Sequence, residues 1–290
     1  MKNRQPTVFK CDFCHSNRFD IRLDIKTKLD LQVEGYEIIE CSNCHLVSLF
    51  PQPTQQKILT FYKDYASKKN REETESIRKE TVYPEKLKML KQYAKGNRLL
   101  DIGAGLGTFA FMAGKEGFDV TGIELSEEQC KAAKKEYDLD LLMGDIYEVK
   151  NHIGTFDIIY LHHVMEHLTS PSSMFDIFSE LLNPDGILLI EVPYQLNRIQ
   201  DSFGKLTKKK MQYPFDHLFF FSPRTMKNYV QKNGFQVMTF HQHRPEKFEG
   251  KLRQLPPYLL RRLFHELTTL LWFPSGSFIE VCCCKKHRTQ

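Results

Sequence analysis

The sequence predicts an α/β protein in which a doubly wound, mostly parallel sheet of seven strands follows a small N-terminal ribbon built on four cysteines. Three observations lead there. A short apolar strand, Arg98–Ile102, runs into the turn Gly103-Ala104-Gly105-Leu106-Gly107 and then into a helix. Strand-like and helix-like segments go on alternating to residue 192, the pattern of a parallel sheet with helices on both faces. Upstream, Cys11/Cys14 and Cys41/Cys44 form two C-x-x-C pairs twenty-six residues apart.

Composition excludes several classes. The chain has 290 residues, 41% hydrophobic and 27% charged, which is ordinary for a water-soluble globular protein. No run of eighteen apolar residues appears, so no membrane-spanning helix is expected. The opening MKNRQPTVFK lacks the apolar stretch of a signal peptide, which points to the cytoplasm. The net charge of +5 is unevenly spread. Residues 1–52 balance seven basic against seven acidic side chains, whereas residues 201–290 carry sixteen against six. The positive field of the C-terminal third suits an anionic acceptor or surface, or is simply a solvated basic face.

Residues 1–52 read as a zinc ribbon. Two residues between cysteines let a tight knuckle aim both sulfurs at one ion. Two knuckles then supply Cys11, Cys14, Cys41 and Cys44 as a closed tetrahedral shell, the mark of a structural Zn²⁺ site. Strand-like stretches at Phe19–Leu31 and Tyr36–Glu40 lie between the knuckles and bury little by themselves, so the metal is expected to supply much of the stability. Each knuckle is followed by a histidine, His15 or His45, which also fits a c-type haem attachment pattern, but haem attachment needs export. Iron in a four-cysteine site is the other chemical option. The ribbon's zero net charge argues against a nucleic-acid reader.

Residues 53–83 are expected to be a helical linker. Thr54 can cap a helix toward Tyr65, and residues 66–81 are almost wholly polar, a solvated helix or a mobile linker. From residue 84 the main domain begins, with a helix from Pro84 to Ala94 leading to the glycine turn.

The glycine turn departs from a dinucleotide fingerprint, G-x-G-x-x-G/A, because the sixth position from Gly103 is Thr108. S-adenosylmethionine (AdoMet) has no pyrophosphate to lay on a helix N-terminus; its methionine end needs a site for a carboxylate and a partner for an ammonium. Asp101 precedes the turn. Glu124 ends the second strand, Asp119–Glu124, placed to take two ribose hydroxyls. Asp145, after the third strand Leu139–Met143, can accept from an adenine amino group while Ile146 packs on the ring. The fourth strand is Phe156–Leu161, followed by the His-rich run 162–167. The fifth, Ile187–Val192, comes after a turn at Asn183–Gly186.

LLDIGAGLGTF, GIELS, GDI, FDIIYLHHVMEHL and LLNPDGILLIEVP resemble the successive motifs of class I AdoMet-dependent methyltransferases, over roughly residues 84–240. The Glu166-His167 pair and the residues after it are similar to the ubiquinone O-methyltransferase-like branch. Together with the ribbon, the resemblance extends to a bacterial group of zinc-ribbon methyltransferases often associated with glycan or lipid-linked saccharide modification. It implies a Rossmann-like methyltransferase domain over 84–290, with substrate-side insertions at 194–217 and 241–276. The candidate AdoMet contacts are Asp101, Gly103, Ala104, Gly105, Gly107, Glu124, Leu125, Asp145, Ile146 and His162. One departure is that ribbon knuckles of this group usually carry glycine where this chain has His15 and His45.

On the substrate side, Pro214–Pro223 resembles the family segment in which a histidine, here His217, precedes an aromatic run. Ser222 caps a helix to Lys232, and Phe235–Phe240 and Phe278–Cys284 are the last two strands, with Cys282–Cys284 as buried strand residues. Residues 251–273 combine leucines with Lys251, Arg253, Arg261 and Arg262, a helix packed on the domain, one lying on a membrane surface, or a wall of a lipid-linked substrate pocket.

The AdoMet sulfonium already activates its methyl group, so the protein must hold a nucleophile in line and, for a hydroxyl, supply a base. His163, His167 and His217 are the candidates. No catalytic metal is expected beside the cysteine site. The leading reading is O-methylation of an anionic small-molecule, glycan or lipid-linked acceptor. The alternatives are an RNA methyltransferase reading RNA through the ribbon and a non-catalytic AdoMet-binding module.

Overall fold

The computed structural model describes residues 9–24, 36–54, 57, 70–194, 216–243 and 277–286. Strands β1 (Phe19–Asp24), β2 (Glu37–Cys41) and β3 (Val47–Phe50) form an antiparallel meander around the cysteine knuckles. Helices α1 (Asn70–Thr81) and α2 (Tyr83–Tyr93) lead into the large sheet. There β4 (Arg98–Ile102), α3 (Thr108–Lys115), β5 (Asp119–Glu124), α4 (Glu127–Tyr137), β6 (Leu142–Met143), α5 (Ile146–Val149), β7 (Phe156–His162), α6 (Pro171–Leu181) and β8 (Leu182–Tyr194) alternate. The chain then continues through β9 (Phe219–Phe220), α7 (Pro223–Lys232), β10 (Phe235–His243) and β11 (Ser277–Lys285).

Seven strands make the large sheet, in the order β10-β11-β8-β7-β4-β5-β6. Neighbours from β6 to β8 pair in parallel, and β11 is antiparallel to both β8 and β10. This is the doubly wound sheet the sequence predicts. The order reverses at β4, so the carboxyl ends of β4 and β7 open a crevice there. The central strands are apolar on both faces because helices cover both; Leu99, Leu100, Ile158, Ile159, Leu188 and Leu189 are all fully buried.

Some boundaries differ from expectation. The polar stretch before residue 81 is helical from Asn70 on, and α2 starts one residue before Pro84. The third strand shrinks to Leu142–Met143, a short edge strand. The turn expected at Asn183–Gly186 is absorbed into β8, whose pairing with β7 shifts register between Phe156 and Ile158. The helix expected from Thr54 toward Tyr65 falls almost entirely outside the described residues. So do the second half of the strand expected over Phe19–Leu31, most of the insertions at 194–217 and 241–276, and the apolar-basic segment 251–273. Among the described residues, no helix is long and apolar enough to cross a membrane.

The small sheet has a fourth strand. β9 pairs antiparallel with β3, Val47 opposite Phe220 and Ser48 opposite Phe219, and Leu49 N–H donates to Leu218 O at 2.9 Å. Ribbon residues Cys11, Ile38, Cys41, Leu46 and Leu49 belong to the same buried cluster as Phe175, Phe219, Phe221 and Tyr229. Each such side chain contributes about 1.5–3 kcal/mol on burial. The ribbon therefore draws on the core of the large domain as well as on its cysteines.

Candidate active site

The glycine turn closes on the end of β5. Gly103 and Ala104 N–H groups both donate to Ile123 O at 2.9 Å. Gly103 takes φ +74°, and a Cβ there would lie 2.6 Å from Val164 Cγ2, so only glycine lets the loop after β7 pack against the turn. Gly107 at φ +75° starts α3, where a Cβ would meet Leu139 and Ala133 at 2.9 and 3.0 Å. The result is a backbone cradle at the carboxyl end of β4.

Glu124 braces that cradle. Its Oε2 accepts from Gly105 N–H at 2.8 Å and its Oε1 from Ser126 N–H at 2.9 Å. Asp101 is buried, and its Oδ2 has no hydrogen-bond partner among the described residues. Burial, with the negative charges of Glu124 and Glu75 nearby, raises its carboxyl to about 8. A buried acid of this kind calls for a cationic donor, and the ammonium of AdoMet is one. The donor set and the glycine cradle thus fit that cofactor. Asp145 is the N-cap of α5 in a reciprocal capping box with Glu148, and Ile146 is buried behind it. Leu125, Met143 and Tyr147 stand exposed along this edge, at 51%, 60% and 45%.

The histidines gather at the end of β7. Ile102 of β4 pairs with Leu161, so His162 and His163 emerge beside Gly103. His163 adopts the left-handed conformation, φ +57°, uncommon outside glycine and asparagine. Its Nδ1 lies 3.2 Å from Glu166 Oε1. Its Nε2 is buried and without a hydrogen bond among the described residues, 3.9 Å from Glu191 Oε1. Burial would raise Glu166, but the bond from His163 and the neighbouring His167 and His217 outweigh it and hold the carboxylate ionised. An ionised carboxylate can only accept, so Nδ1 is the donor of this bond.

His167 and His217 are held differently. His167 Nδ1 donates to the backbone carbonyl of Asp216 at 2.9 Å. His217 is buried against His167 and Phe220, and burial, reinforced by the His167 charge, lowers it to about 3. His162 is likewise lowered to about 3, chiefly by burial, and donates through Nε2 to Glu191 Oε1 at 3.0 Å.

Three residues that sequence reasoning did not single out form a buried ionic cluster beside His162. Lys86 of α2 bonds both Glu191 of β8 and Glu280 of β11, and all three are buried. The lysine charge and His162 hold Glu191 well below the usual carboxylate range in spite of its burial. A signal was present, since Glu191 and Glu280 are single acids inside apolar strands, LLIEV and FIEVC. Helix α1 adds Glu75, whose carboxylate accepts from Tyr83 Oη at 3.0 and 3.1 Å.

Cys11, Cys14, Cys41 and Cys44 bring their sulfurs within 4.8 Å of one another, with Cys11–Cys44 at 3.4 Å and Cys14–Cys41 at 3.5 Å. Tetrahedral zinc at about 2.3 Å from each sulfur needs separations of roughly 3.8 Å. The donor set fits that ion. His15 and His45 take φ +59° and +64°, the left-handed region that favours glycine, and their N–H groups bond Cys11 O and Cys41 O. Two further groups, His162/His163/Glu191 and Glu166/His167/His217, also place ligand atoms within 4.8 Å, so a divalent cation is sterically possible there.

Comparison with known proteins agrees with this geometry. The model of a family described as a methyltransferase domain matches residues 74–239, more than half of the chain. A Geobacillus sp. (strain WCH70) protein named as a methyltransferase is 32% identical over 140 residues, 43% of this chain and 56% of that protein. A ubiquinone biosynthesis O-methyltransferase of Psychrobacter cryohalolentis is 27% identical over 137 residues, 44% of this chain and 52% of that protein. The chain thus spans about half the length of the curated relatives it matches. In fold it is similar to a SAM-dependent methyltransferase from Archaeoglobus fulgidus, with TM-score 0.50 and 19% identity over 76% of this chain and 100% of that one. From the glycine cradle, the acid that braces it, the strand order and the family match, the chain belongs to the methyltransferase-domain family, with the class I fold.

Proposed function

We propose that the protein transfers the AdoMet methyl group to a hydroxyl oxygen of an anionic small-molecule, glycan or lipid-linked saccharide acceptor, with His163 as the base. The observation that carries this reading is His163 itself. A backbone held at φ +57° and an Nδ1 fixed on Glu166 leave Nε2 buried and without a hydrogen bond among the described residues, directly after the end of β7 that pairs with β4. In the transfer the acceptor oxygen attacks the methyl carbon, the carbon–sulfur bond breaks to release the thioether, and the hydroxyl proton passes to Nε2. The resulting imidazolium lies between Glu166 and Glu191, two carboxylates that stabilise it.

The exposed Leu125, Met143 and Tyr147 supply an apolar rim for the adenine ring beside Asp145. The surplus of basic residues over 201–290 supports an anionic acceptor. A peripheral contact through 251–273 would bring a lipid-linked acceptor to the site, and Zn²⁺ at the cysteines would hold the ribbon in place. The test is mass spectrometry after incubating protein and AdoMet with extracts enriched in glycans and lipids. One added methyl group on an acceptor, absent with His163→Asn, is expected. Full turnover by His163→Asn would overturn the assignment of the base, and AdoMet binding without any methylated product would overturn the transfer itself.

A further inference from the structure

Among the described residues, two of the ribbon's hydrogen-bonded contacts with the large domain adjoin the turn that carries Glu166 and His167. The first is Asp12, inside the knuckle between Cys11 and Cys14. Its Oδ1 accepts from Ser170 Oγ at 2.7 Å, and its Oδ2 accepts from Ser172 N–H at 2.9 Å and from Tyr229 Oη at 2.8 Å. Its own carbonyl accepts from Ser172 Oγ at 2.8 Å. Ser170 is the N-cap of α6 and makes no side-chain cap bond of its own. Asp12 thus satisfies an orphan N–H of the first turn from across the molecule, 160 residues away.

The second place is Leu218. Its N–H donates to Glu166 O at 2.7 Å, and its carbonyl accepts from Leu49 N–H of the ribbon at 2.9 Å. One residue therefore ties the Glu166 turn to the ribbon, and His217 is its neighbour in the chain. His167 is tied to the same segment through Asp216 O. The glycine turn and Glu124 are anchored elsewhere, by the backbone bonds that join them to β5 and to each other.

We propose that Asp12 is a positioning residue: by docking the knuckle on α6 and Tyr229 it keeps β3 on β9, and so sets the Glu166–His167–His217 wall of the crevice without touching the AdoMet half. The role of that wall in catalysis rests on the function proposed above, whereas the mechanical link does not. Occupancy of the four cysteines then controls one half of the site, because the knuckle that carries Asp12 is ordered by the ion that Cys11 and Cys14 help to hold.

The experiment is amide hydrogen exchange read by mass spectrometry on the full chain, zinc-loaded and after chelation, for wild type, Asp12→Asn and Tyr229→Phe, with AdoMet affinity measured by calorimetry in parallel. Asparagine keeps one acceptor oxygen and loses the other, while Tyr229→Phe removes a single hydroxyl from the opposite partner, so both variants should fold. In both, and in chelated wild type, exchange over 163–168 and 216–221 is expected to rise by about tenfold or more, while peptides over 98–125 stay protected. The AdoMet dissociation constant should move by less than about threefold. Unchanged exchange at 216–221, or a rise spread equally over 98–125, would overturn the proposal. Failure of wild type to bind AdoMet would overturn the proposed function instead, and the exchange pattern would still judge the link.

Discussion

Glu191 of β8 stands directly opposite Glu280 of β11 in the sheet, both buried. Two carboxylates so placed repel one another, and the fold tolerates them because Lys86 lies between them and His162 donates to the first. Removing the lysine leaves uncompensated buried charge. Lys86→Met is expected to cost about 3–5 kcal/mol. Adding Glu280→Gln should return a good part of that loss, since one buried charge disappears. Urea denaturation of the single and double variants reads both effects as shifts in midpoint at constant slope.

The base assignment predicts a split between chemistry and binding. Asparagine tolerates the left-handed backbone that His163 occupies, so His163→Asn should keep the turn intact. It should lower turnover by about 10²–10⁴-fold and leave the AdoMet dissociation constant nearly unchanged. Glu166→Gln takes away the charge that stabilises the imidazolium yet leaves an acceptor for Nδ1–H, so it should have a smaller effect in the same direction. Single-turnover rates beside calorimetry separate the two quantities.

Asp101 gives a pH dependence whose sign can be worked out. Its folded-state value, about 8, is above the ordinary aspartate value of 3.8 that the unfolded chain keeps. Between those values the unfolded chain has lost the proton and the folded one keeps it, so stability without cofactor falls as pH rises through that window. Asp101→Asn removes this contribution and should raise the thermal midpoint of the cofactor-free protein by about 2–4 °C at pH 8. If Asp101 receives the AdoMet ammonium, as its unpartnered Oδ2 suits it to do, the same substitution removes that carboxylate and affinity should drop by at least about tenfold. For wild type, AdoMet affinity should rise with pH toward 8. A variant that is neither more stable nor weaker in binding would contradict both halves.

Much of the site was legible because its chemistry is local in sequence. The glycine turn, Asp101, Glu124 at the next strand end and the two cysteine pairs each declare themselves within a few residues; the structure joins Gly105 to Glu124 and, separately, gathers the four cysteines. The features that were not legible depend on distant pairing. Phe219 and Phe220 read as an aromatic run before a helix cap, and only the ribbon strand, some 170 residues away, makes them β9. Lys86 looks like any lysine on a polar helix until the sheet places two acids beneath it. Asp12 looks like a knuckle filler between two ligands, and its role as a cap for α6 exists only after docking. The buried-strand acids were the missed clue, since a lone glutamate among Leu, Ile and Val must find a partner.

The ribbon's two left-handed histidines give a prediction in which opposing effects must be weighed. A non-glycine residue in this conformation costs roughly 1–2 kcal/mol, while placing glycine there costs about 0.5–1 kcal/mol of extra unfolded-chain entropy. His15 is exposed, so His15→Gly should gain between zero and about 1.5 kcal/mol, with about 2–4 °C in midpoint for each kcal/mol in a chain of this size. His45 is different, because its Nδ1 lies 2.9 Å from Glu40 Oε1. That half-exposed pair is worth a few tenths of a kcal/mol, up to about 1, and His45→Gly would forfeit it. The gain at 45 should therefore be smaller than at 15, or vanish. Calorimetric scans of the two zinc-loaded variants decide the order, and the difference between them should shrink at high salt, where the Glu40 contact is screened.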